Sequence, residues 1–174
     1  MNTTTTRLLT RCTLWIGALF VATSLHAGPA EDYAKADAAL ASGDLPTGMS
    51  LMRKAADQNH ARAQARLGDL LRAADSESEA VALYRKSAEQ GDAAGEFGLG
   101  RAYADGAGVK KDTAAALEWY RKAEKQNYAP ALDALARAYR TGTLGLPRDP
   151  EQAKAYDERV RALSAQATAQ GAAR

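Results

Sequence analysis

Apolar side chains recur at spacings of three and four residues through most of the chain, which is the pattern of amphipathic helices. Ala116, Trp119, Tyr120 and Ala123 form one apolar stripe, and the charged residues between them fall on the opposite side. A similar stripe precedes it over residues 99–103. The two stripes predict a pair of antiparallel helices joined by a turn.

This helix-pair pattern repeats along the chain. The segment LYRKSAEQG at 83–91 recurs 36 residues later as WYRKAEKQN, has an earlier copy 32 residues upstream as LMRKAADQN, and has a decayed copy over 149–160. Such a period is typical of helical solenoids, in which each pair buries its apolar face against its neighbours. We therefore expect an all-α fold, a right-handed α-solenoid of about four antiparallel helix pairs.

Glycine and asparagine residues mark the ends of the predicted helices. Residues that tolerate a left-handed backbone follow the second helix in three copies, namely Asn59, Gly91 and Asn127. Gly98 and Gly100 instead lie inside a predicted helix, where each costs about 1 kcal/mol relative to alanine. They therefore predict close contact between helices, and we favour this interpretation over a phosphate-binding glycine motif, since no strand precedes them.

Helix starts carry their own signals. Asp112 and Asp149 stand where a side-chain oxygen is needed to cap the first turn, and Pro150 follows at a first helical position. Ser76 and Glu79 have the spacing of a capping box. These signals predict where the helices begin.

The first 27 residues are typical of an export signal. Arg7 and Arg11 precede an apolar run over 12–22, no acidic residue is present, and Ala27 supplies a small residue for cleavage. We expect cleavage after Ala27 and a location in the periplasm or outside the cell. An uncleaved N-terminal anchor is the alternative.

The remaining chain divides according to the repeats. We predict a degenerate capping helix pair at 28–60, three repeats at 61–92, 93–128 and 129–163, and an alanine- and glutamine-rich tail at 164–174 that is a candidate for disorder.

Composition excludes several classes of protein. Cys12 is the single cysteine, which excludes a disulfide framework or a cysteine-rich zinc module. Loss of Arg7 and Arg11 with the signal lowers the lysine and arginine count from 23 to 21, equal to the 21 aspartates and glutamates. A neutral chain has no general attraction to nucleic acid. We expect no nucleic-acid partner, no cofactor or metal, and no transmembrane segment after cleavage.

Residues with catalytic potential are scarce. Beyond the signal, His60 is the single histidine, and neither H-E-x-x-H nor G-x-S-x-G occurs. We interpret His60 as a surface residue at a helix start. Asp105 and Asp112 could imitate a two-carboxylate glycosidase site, but the same residues suit a helix end and a helix cap. The sequence therefore favours a protein without enzymatic activity.

The repeat over 93–128 resembles the Sel1-like repeat family, a branch of the tetratricopeptide-type helical solenoids. It carries Leu99-Gly100, Tyr103, the turn GAGV at 106–109, Asp112 and WYRKA at 119–123 in the order of the family pattern. The unit at 61–90 lacks the glycine turn, and the last unit has an extra residue within 142–147. The resemblance implies a protein–protein adaptor, often in bacterial envelopes.

Two alternatives accompany this resemblance. Cysteine-rich relatives have been linked to penicillin binding or β-lactam hydrolysis, although this chain lacks their disulfides. Exposed aromatic side chains could instead bind peptidoglycan or another glycan. We assign most tyrosines to the packing stripes and allow only Tyr103 and Tyr139 to face a groove.

Arginines on the first helices suggest a binding surface. They outnumber the acidic residues there, and with the two tyrosines they give a candidate groove-facing set: Arg66, Arg101, Tyr103, Arg137, Tyr139 and Arg140. Because arginine pairs with carboxylates in a bidentate manner, we expect a protein or peptide partner in the cell envelope with acidic character. An ordinary solvated face is the alternative. We expect the chain to be a monomer.

Overall fold

The computed structural model describes residues 28–172, and within this range it contains eight helices and no strand. The helices are α1 (Pro29–Ala41), α2 (Leu45–Asp57), α3 (Ala61–Ala73), α4 (Glu77–Glu89), α5 (Ala93–Asp105), α6 (Thr113–Lys125), α7 (Ala129–Thr141) and α8 (Pro150–Ala172). The first seven have 13 residues each, whereas α8 has 23. The all-α prediction is confirmed.

The helices stack as four consecutive pairs. Each odd-numbered helix packs on the even-numbered helix that follows it, and successive pairs pack through α2 on α3, α4 on α5 and α6 on α7. Tyr84 and Leu99 lie in a core that spans the first five helices, and Tyr120 and Leu135 lie in a second cluster towards the C-terminal end. This arrangement is an α-solenoid.

The predicted helix ends are present. Asn59, Gly91 and Asn127 have φ angles of 63°, 77° and 55°, so all three are left-handed. Asp112 accepts hydrogen bonds from Ala114 N and Ala115 N at 3.0 Å, and Asp149 accepts from the equivalent amides of α8. The local signals therefore act as predicted at these positions.

The prediction of a capping box at Ser76 and Glu79 is wrong. Ser76 does precede α4, but its side chain makes no capping hydrogen bond. Its ψ of 57° departs from the extended backbone of Asp92 and Asp112, whose side chains do accept from the first-turn amides. The hydroxyl of Ser76 is therefore not aligned with the first-turn amides of α4.

Glycines allow close packing of helices and turns. A Cβ atom on Gly98 would lie 2.4 Å from the ring of Tyr84, and one on Gly100 would lie 2.8 Å from the ring of Tyr120, so the predicted close contact is confirmed. In the turn after α5, Gly108 has a φ of 69°, and a Cβ there would lie 2.6 Å from the backbone of Glu77. The glycine turn at 106–109 thus packs closely against the start of α4, the second helix of the preceding repeat.

The alanine- and glutamine-rich tail is helical where the structure describes it. α8 continues through this segment to Ala172, and the side chains over 164–172 are exposed. Over 164–172 the structure describes helix where disorder is the expectation, and the high helix propensity of alanine favours this extension of α8. The predicted export signal, 1–27, lies outside the described residues. Among residues 28–172, no helix is long and apolar enough to cross a membrane.

Candidate binding site

The exposed surface along α1, α3, α5 and α7 is the candidate binding surface, and we call it the first-helix face. Its ninth helical positions carry Asp37, Asp69, Arg101 and Arg137 in turn. Two depressions on this face bring together residues from neighbouring repeats. Each depression is bordered by arginine and tyrosine side chains.

Arg101 joins two repeats instead of projecting freely. The hydroxyl of Tyr84 donates to Asp69 Oδ1 at 2.8 Å, and Arg101 Nη2 donates to the same oxygen at 2.9 Å. Arg101 Nη2 also lies 3.0 Å from the Tyr84 hydroxyl, which accepts from it. The guanidinium therefore connects α5 to both helices of the preceding pair.

Burial and charge set the protonation of this network. Burial raises the pKa of the Tyr84 hydroxyl to about 12, and the neighbouring Asp69 carboxylate adds to this effect. Burial alone would lower the pKa of Arg101, but the hydrogen bond that Arg101 donates to Asp69 and the contact with Tyr84 leave that pKa raised. Both groups therefore stay protonated donors at neutral pH.

Two other candidate arginines also have carboxylate partners. Arg140 Nη2 lies 2.7 Å from Asp157 Oδ2 on α8, and Arg66 Nε lies 3.8 Å from Asp37 Oδ1 on α1. Exposed ion pairs of this kind contribute about 0–1 kcal/mol each to stability. The arginines therefore form a row interleaved with acids, and not a continuous basic ridge.

Arg62 and Arg137 differ from this group. Both are exposed, and within residues 28–172 neither lies within 4 Å of a carboxylate oxygen. They are the first-helix arginines with free hydrogen-bonding capacity near the two depressions.

The candidate tyrosines lie elsewhere. Tyr103 packs against the N-terminal core cluster and borders a shallow depression formed by the loop at 109–113. The ring of Tyr139 stacks on Tyr156 of α8, with ring centroids 5.8 Å apart. The structure thus does not bring these two rings together with Arg101 and Arg137.

The first depression surrounds Arg62 and Arg66. Tyr33 of α1 and Tyr128, which precedes α7, lie at its borders together with Asp37 and Asp69. Burial raises the pKa of Tyr128, and the Asp69 carboxylate adds to the increase. Acidic and basic groups alternate here, which gives the depression no net preference for one charge.

The second depression, which we call the α5–α7 cleft, favours one kind of ligand more than the first depression does. Its lining residues are Phe97, Arg101, Ala104, Asp105, Tyr120, Ala134, Arg137, Ala138, Thr143 and Leu144. Leu144 has a left-handed φ of 57°, an arrangement that costs a bulky side chain about 1–3 kcal/mol, and its side chain packs on the Tyr120 cluster. One wall of the cleft is therefore apolar, and Arg101 and Arg137 contribute the positive charges.

Two buried polar residues, Gln64 and Glu96, lie on the first helices at positions that apolar periodicity does not predict. Gln64 and Glu96 occupy equivalent positions and are 2% and 6% exposed. Gln90 Nε2 donates to Gln64 Oε1 at 2.7 Å, and Gln126 Nε2 donates to Glu96 Oε2 at 2.9 Å. The recurrence of glutamine at 90 and 126 was the available signal. Burial raises the pKa of Glu96.

Residues with catalytic potential have structural roles. His60 Nδ1 accepts from Ala63 N at 3.1 Å, capping α3, and its ring stacks on Tyr33 with centroids 5.1 Å apart. Its predicted location at a helix start is confirmed. The Ser87 hydroxyl is buried and donates to Asp92 at 3.2 Å. No group of three metal-ligating side chains occurs within residues 28–172.

The fold and this surface define a class: an all-α solenoid of helix pairs with an exposed first-helix face. The Sel1 repeat model matches residues 40–60, 61–92, 93–128 and 129–156. The chain therefore belongs to the Sel1 repeat family, whose repeats generally mediate protein–protein interaction. The predicted resemblance is confirmed.

Solved structures show the same fold. The chain matches a protective antigen of uropathogenic Escherichia coli strains that displays an SLR fold, with 33% identity and a TM-score of 0.68 over 76% of this chain and 30% of the antigen. It also matches a Sel1 repeat protein from Oxalobacter formigenes, with 27% identity and a TM-score of 0.69 over 78% of this chain and 58% of that protein.

A sequence relative comes from Neisseria meningitidis serogroup B. This uncharacterized protein is 44% identical over 71 residues, which make up 41% of this chain and 14% of the relative. The chain thus spans only a small part of that relative and less than two thirds of either solved structure.

Proposed function

We propose that this protein is a non-enzymatic, exported interaction scaffold that binds a protein of the bacterial cell envelope along its first-helix face. Export to the periplasm or beyond is supported by the signal pattern in residues 1–27. Binding is supported by the family, because stacked helix pairs provide an extended surface for partners.

The observation that carries this proposal is that Arg62 and Arg137 are available to bind a partner. Each borders a depression on the first-helix face, each is exposed, and neither has a carboxylate partner within the described range. Arginine and tyrosine are enriched among the residues that dominate binding energy at protein interfaces. The two arginines favour a partner with acidic side chains.

Site-specific photocrosslinking in the native bacterium tests the proposal. A photoreactive residue would replace Arg66 or Asp133 on the first-helix face, and Arg85 or Arg121 on the second helices as matched controls; all four are exposed. We expect one envelope protein to be crosslinked from the first-helix positions and not from the controls. Equal crosslinking from both sets, or none from either, contradicts the proposal, as does recovery of the chain in the cytoplasmic fraction.

Charge reversal provides the second arm of this test. Arg62→Glu and Arg137→Glu should reduce crosslinking while leaving the fold intact, because neither side chain forms an ion pair within residues 28–172. Arg101 is unsuitable for this purpose, since its loss would disrupt the Asp69 and Tyr84 network. Hydrolysis of nitrocefin or co-sedimentation with peptidoglycan sacculi by the purified chain would favour the enzyme or the glycan-binding alternative instead.

A further inference from the structure

Tyr84 and Tyr120 occupy equivalent positions in successive repeats but have different surroundings. Tyr84 lies between Asp69 of its own repeat and Arg101 of the next, and its hydroxyl bonds to both. In the following repeat, the ninth position of the first helix holds Arg101 where the preceding repeat holds Asp69. No carboxylate therefore stands at the position equivalent to Asp69; Asp105, four residues further along α5, lies beside Tyr120 but forms no hydrogen bond with it.

Within residues 28–172, the hydroxyl of Tyr120 consequently has no hydrogen-bond partner. Tyr120 is 5% exposed and lines the α5–α7 cleft, yet within residues 28–172 its hydroxyl forms no hydrogen bond. Burial raises its pKa to about 12, and the charges that act on it are those of Asp105, Arg101 and Arg137. The hydroxyl oxygen keeps some contact with solvent, so it can donate a hydrogen bond to an acceptor that binds in the cleft.

Further donors lie beside this hydroxyl. Arg137 lines the same cleft and forms no ion pair within residues 28–172. Arg101 also lines the cleft, but its Nη2 is held by Asp69 and its Nε is buried, so it contributes positive charge and not an available donor. The cleft therefore combines donors from α6 and α7 with a positive charge from α5. Carboxylate oxygens accept several such bonds, and bonds to charged groups are the strong ones.

The packing of the repeats leaves room for an occupant. Gly98 lets α5 approach the ring of Tyr84 closely, but the equivalent residue in α7 is Ala134, which carries a Cβ atom. Consistent with this, α3 contacts α5, whereas α5 and α7 are barely in contact. The cleft lies where two first helices are spread apart.

Building on the proposed function, we infer that the α5–α7 cleft binds the side-chain carboxylate of an aspartate or glutamate in the partner protein, beside the Tyr120 hydroxyl as Asp69 lies beside the Tyr84 hydroxyl in the preceding repeat. Tyr120 and Arg137 donate to the carboxylate, and Arg101 adds its positive charge. Leu144 and Ala138 provide an apolar wall for the residue next to the acid. Asp105, at the border of the cleft, repels the bound carboxylate and so weakens its binding.

Nuclear magnetic resonance titration of the full chain with short peptides tests this inference. The probes are a peptide blocked at both ends with one central glutamate flanked by leucine and alanine, the same peptide with glutamine, and the glutamine peptide with a free C-terminal carboxylate. We expect the glutamate peptide to shift the amide signals of Ala134, Ala138 and Thr143 and to bind at least about tenfold more tightly than the other two. Equal binding of the glutamine peptide, or tighter binding of the peptide with the free terminus, overturns the inference.

Variants locate the interaction. Arg137→Ala should weaken binding of the glutamate peptide about tenfold and Tyr120→Phe severalfold, whereas Asp105→Asn should strengthen it. Arg121→Ala is the matched control, because it removes an exposed arginine of α6 outside this cleft and outside the first-helix face, and it should leave the affinity unchanged. An equal loss in Arg121→Ala and Arg137→Ala overturns the inference.

The outcomes separate this inference from the proposed function. Crosslinking of an envelope protein that persists unchanged in Arg137→Ala would leave the scaffold role intact and reject the carboxylate site. Peptide binding that depends on Arg137, without any crosslinked protein partner, would support the site and reject the scaffold role.

Discussion

The hydroxyl of Tyr84 donates a 2.8 Å hydrogen bond to Asp69 across the contact between α4 and α3. Arg101 from the next repeat donates to the same carboxylate, so three helices meet at one oxygen atom. Networks of this kind link neighbouring repeats of a solenoid, whose stability depends on contacts between adjacent units. An arginine that the sequence places on a binding surface is thereby part of the framework.

Removal of the Tyr84 hydroxyl should destabilise the protein. We expect Tyr84→Phe to lower the free energy of unfolding by about 1–2 kcal/mol, because Asp69 and Arg101 each lose a partner at a side chain that is 1% exposed. Tyr120→Phe is the matched control and should cause no loss, since that hydroxyl forms no hydrogen bond within residues 28–172. Urea denaturation measures both, and equal losses would contradict the difference between the two networks.

Gly98→Ala should be costly despite the higher helix propensity of alanine. The added Cβ atom would lie 2.4 Å from the Tyr84 ring, and overpacking of this kind costs about 1–3 kcal/mol. Gly171→Ala in α8 has open space around it and should be neutral or slightly stabilising. Thermal denaturation followed by circular dichroism compares the two; an unchanged midpoint for Gly98→Ala would show that the close contact is not needed.

Glu96→Gln should stabilise the protein at neutral pH. Burial raises the pKa of Glu96, so the folded state binds its proton more tightly than the unfolded state does. The resulting loss in the free energy of unfolding is absent below the ordinary pKa of glutamate, where Glu96 is protonated in both states. It grows as the pH rises through the raised pKa of the folded state. The variant should therefore gain on the order of 0.5 kcal/mol at neutral pH and nothing in acid.

Denaturant titrations across this pH range measure the effect of Glu96→Gln. The variant retains an acceptor for Gln126 and reproduces the Gln64 and Gln90 pair of the preceding repeat. The reciprocal change, Gln64→Glu, should lower stability, because it buries a carboxylate and removes the donor to the carbonyl of Ala56. A gain for Glu96→Gln that is independent of pH would contradict the role assigned to the charge.

Asp112 and Ser76 precede the second helices of neighbouring repeats, so their contributions as helix caps can be compared directly. Asp112→Ala should cost about 1 kcal/mol, because the side chain accepts from two first-turn amides of α6. Ser76→Ala should be nearly neutral, because the Ser76 side chain makes no capping bond to α4. The free energies of unfolding of the two variants, measured side by side, check this prediction, and a loss at Ser76 as large as that at Asp112 would refute it.

The sequence predicts features that depend on neighbours along the chain. Helix pairs follow from apolar spacing, helix ends from Asn59 and Asp112, and close packing from Gly98. Whether an exposed arginine finds a carboxylate depends on contacts between repeats, which periodicity does not encode. Arg101 and Arg137 therefore look alike in the sequence, although one is held by Asp69 and the other has no such partner in the described range.

The spread between α5 and α7 has a consequence for folding cooperativity. In a linear array, the coupling between adjacent units decides whether they unfold together. Because α6 packs on α7 less extensively than α4 packs on α5, the pair formed by α7 and α8 is the most weakly coupled part of the array. Its backbone amides should exchange with deuterium before those of α4 and α5, and an acidic ligand in the cleft would slow that exchange by tying the last pair to the others.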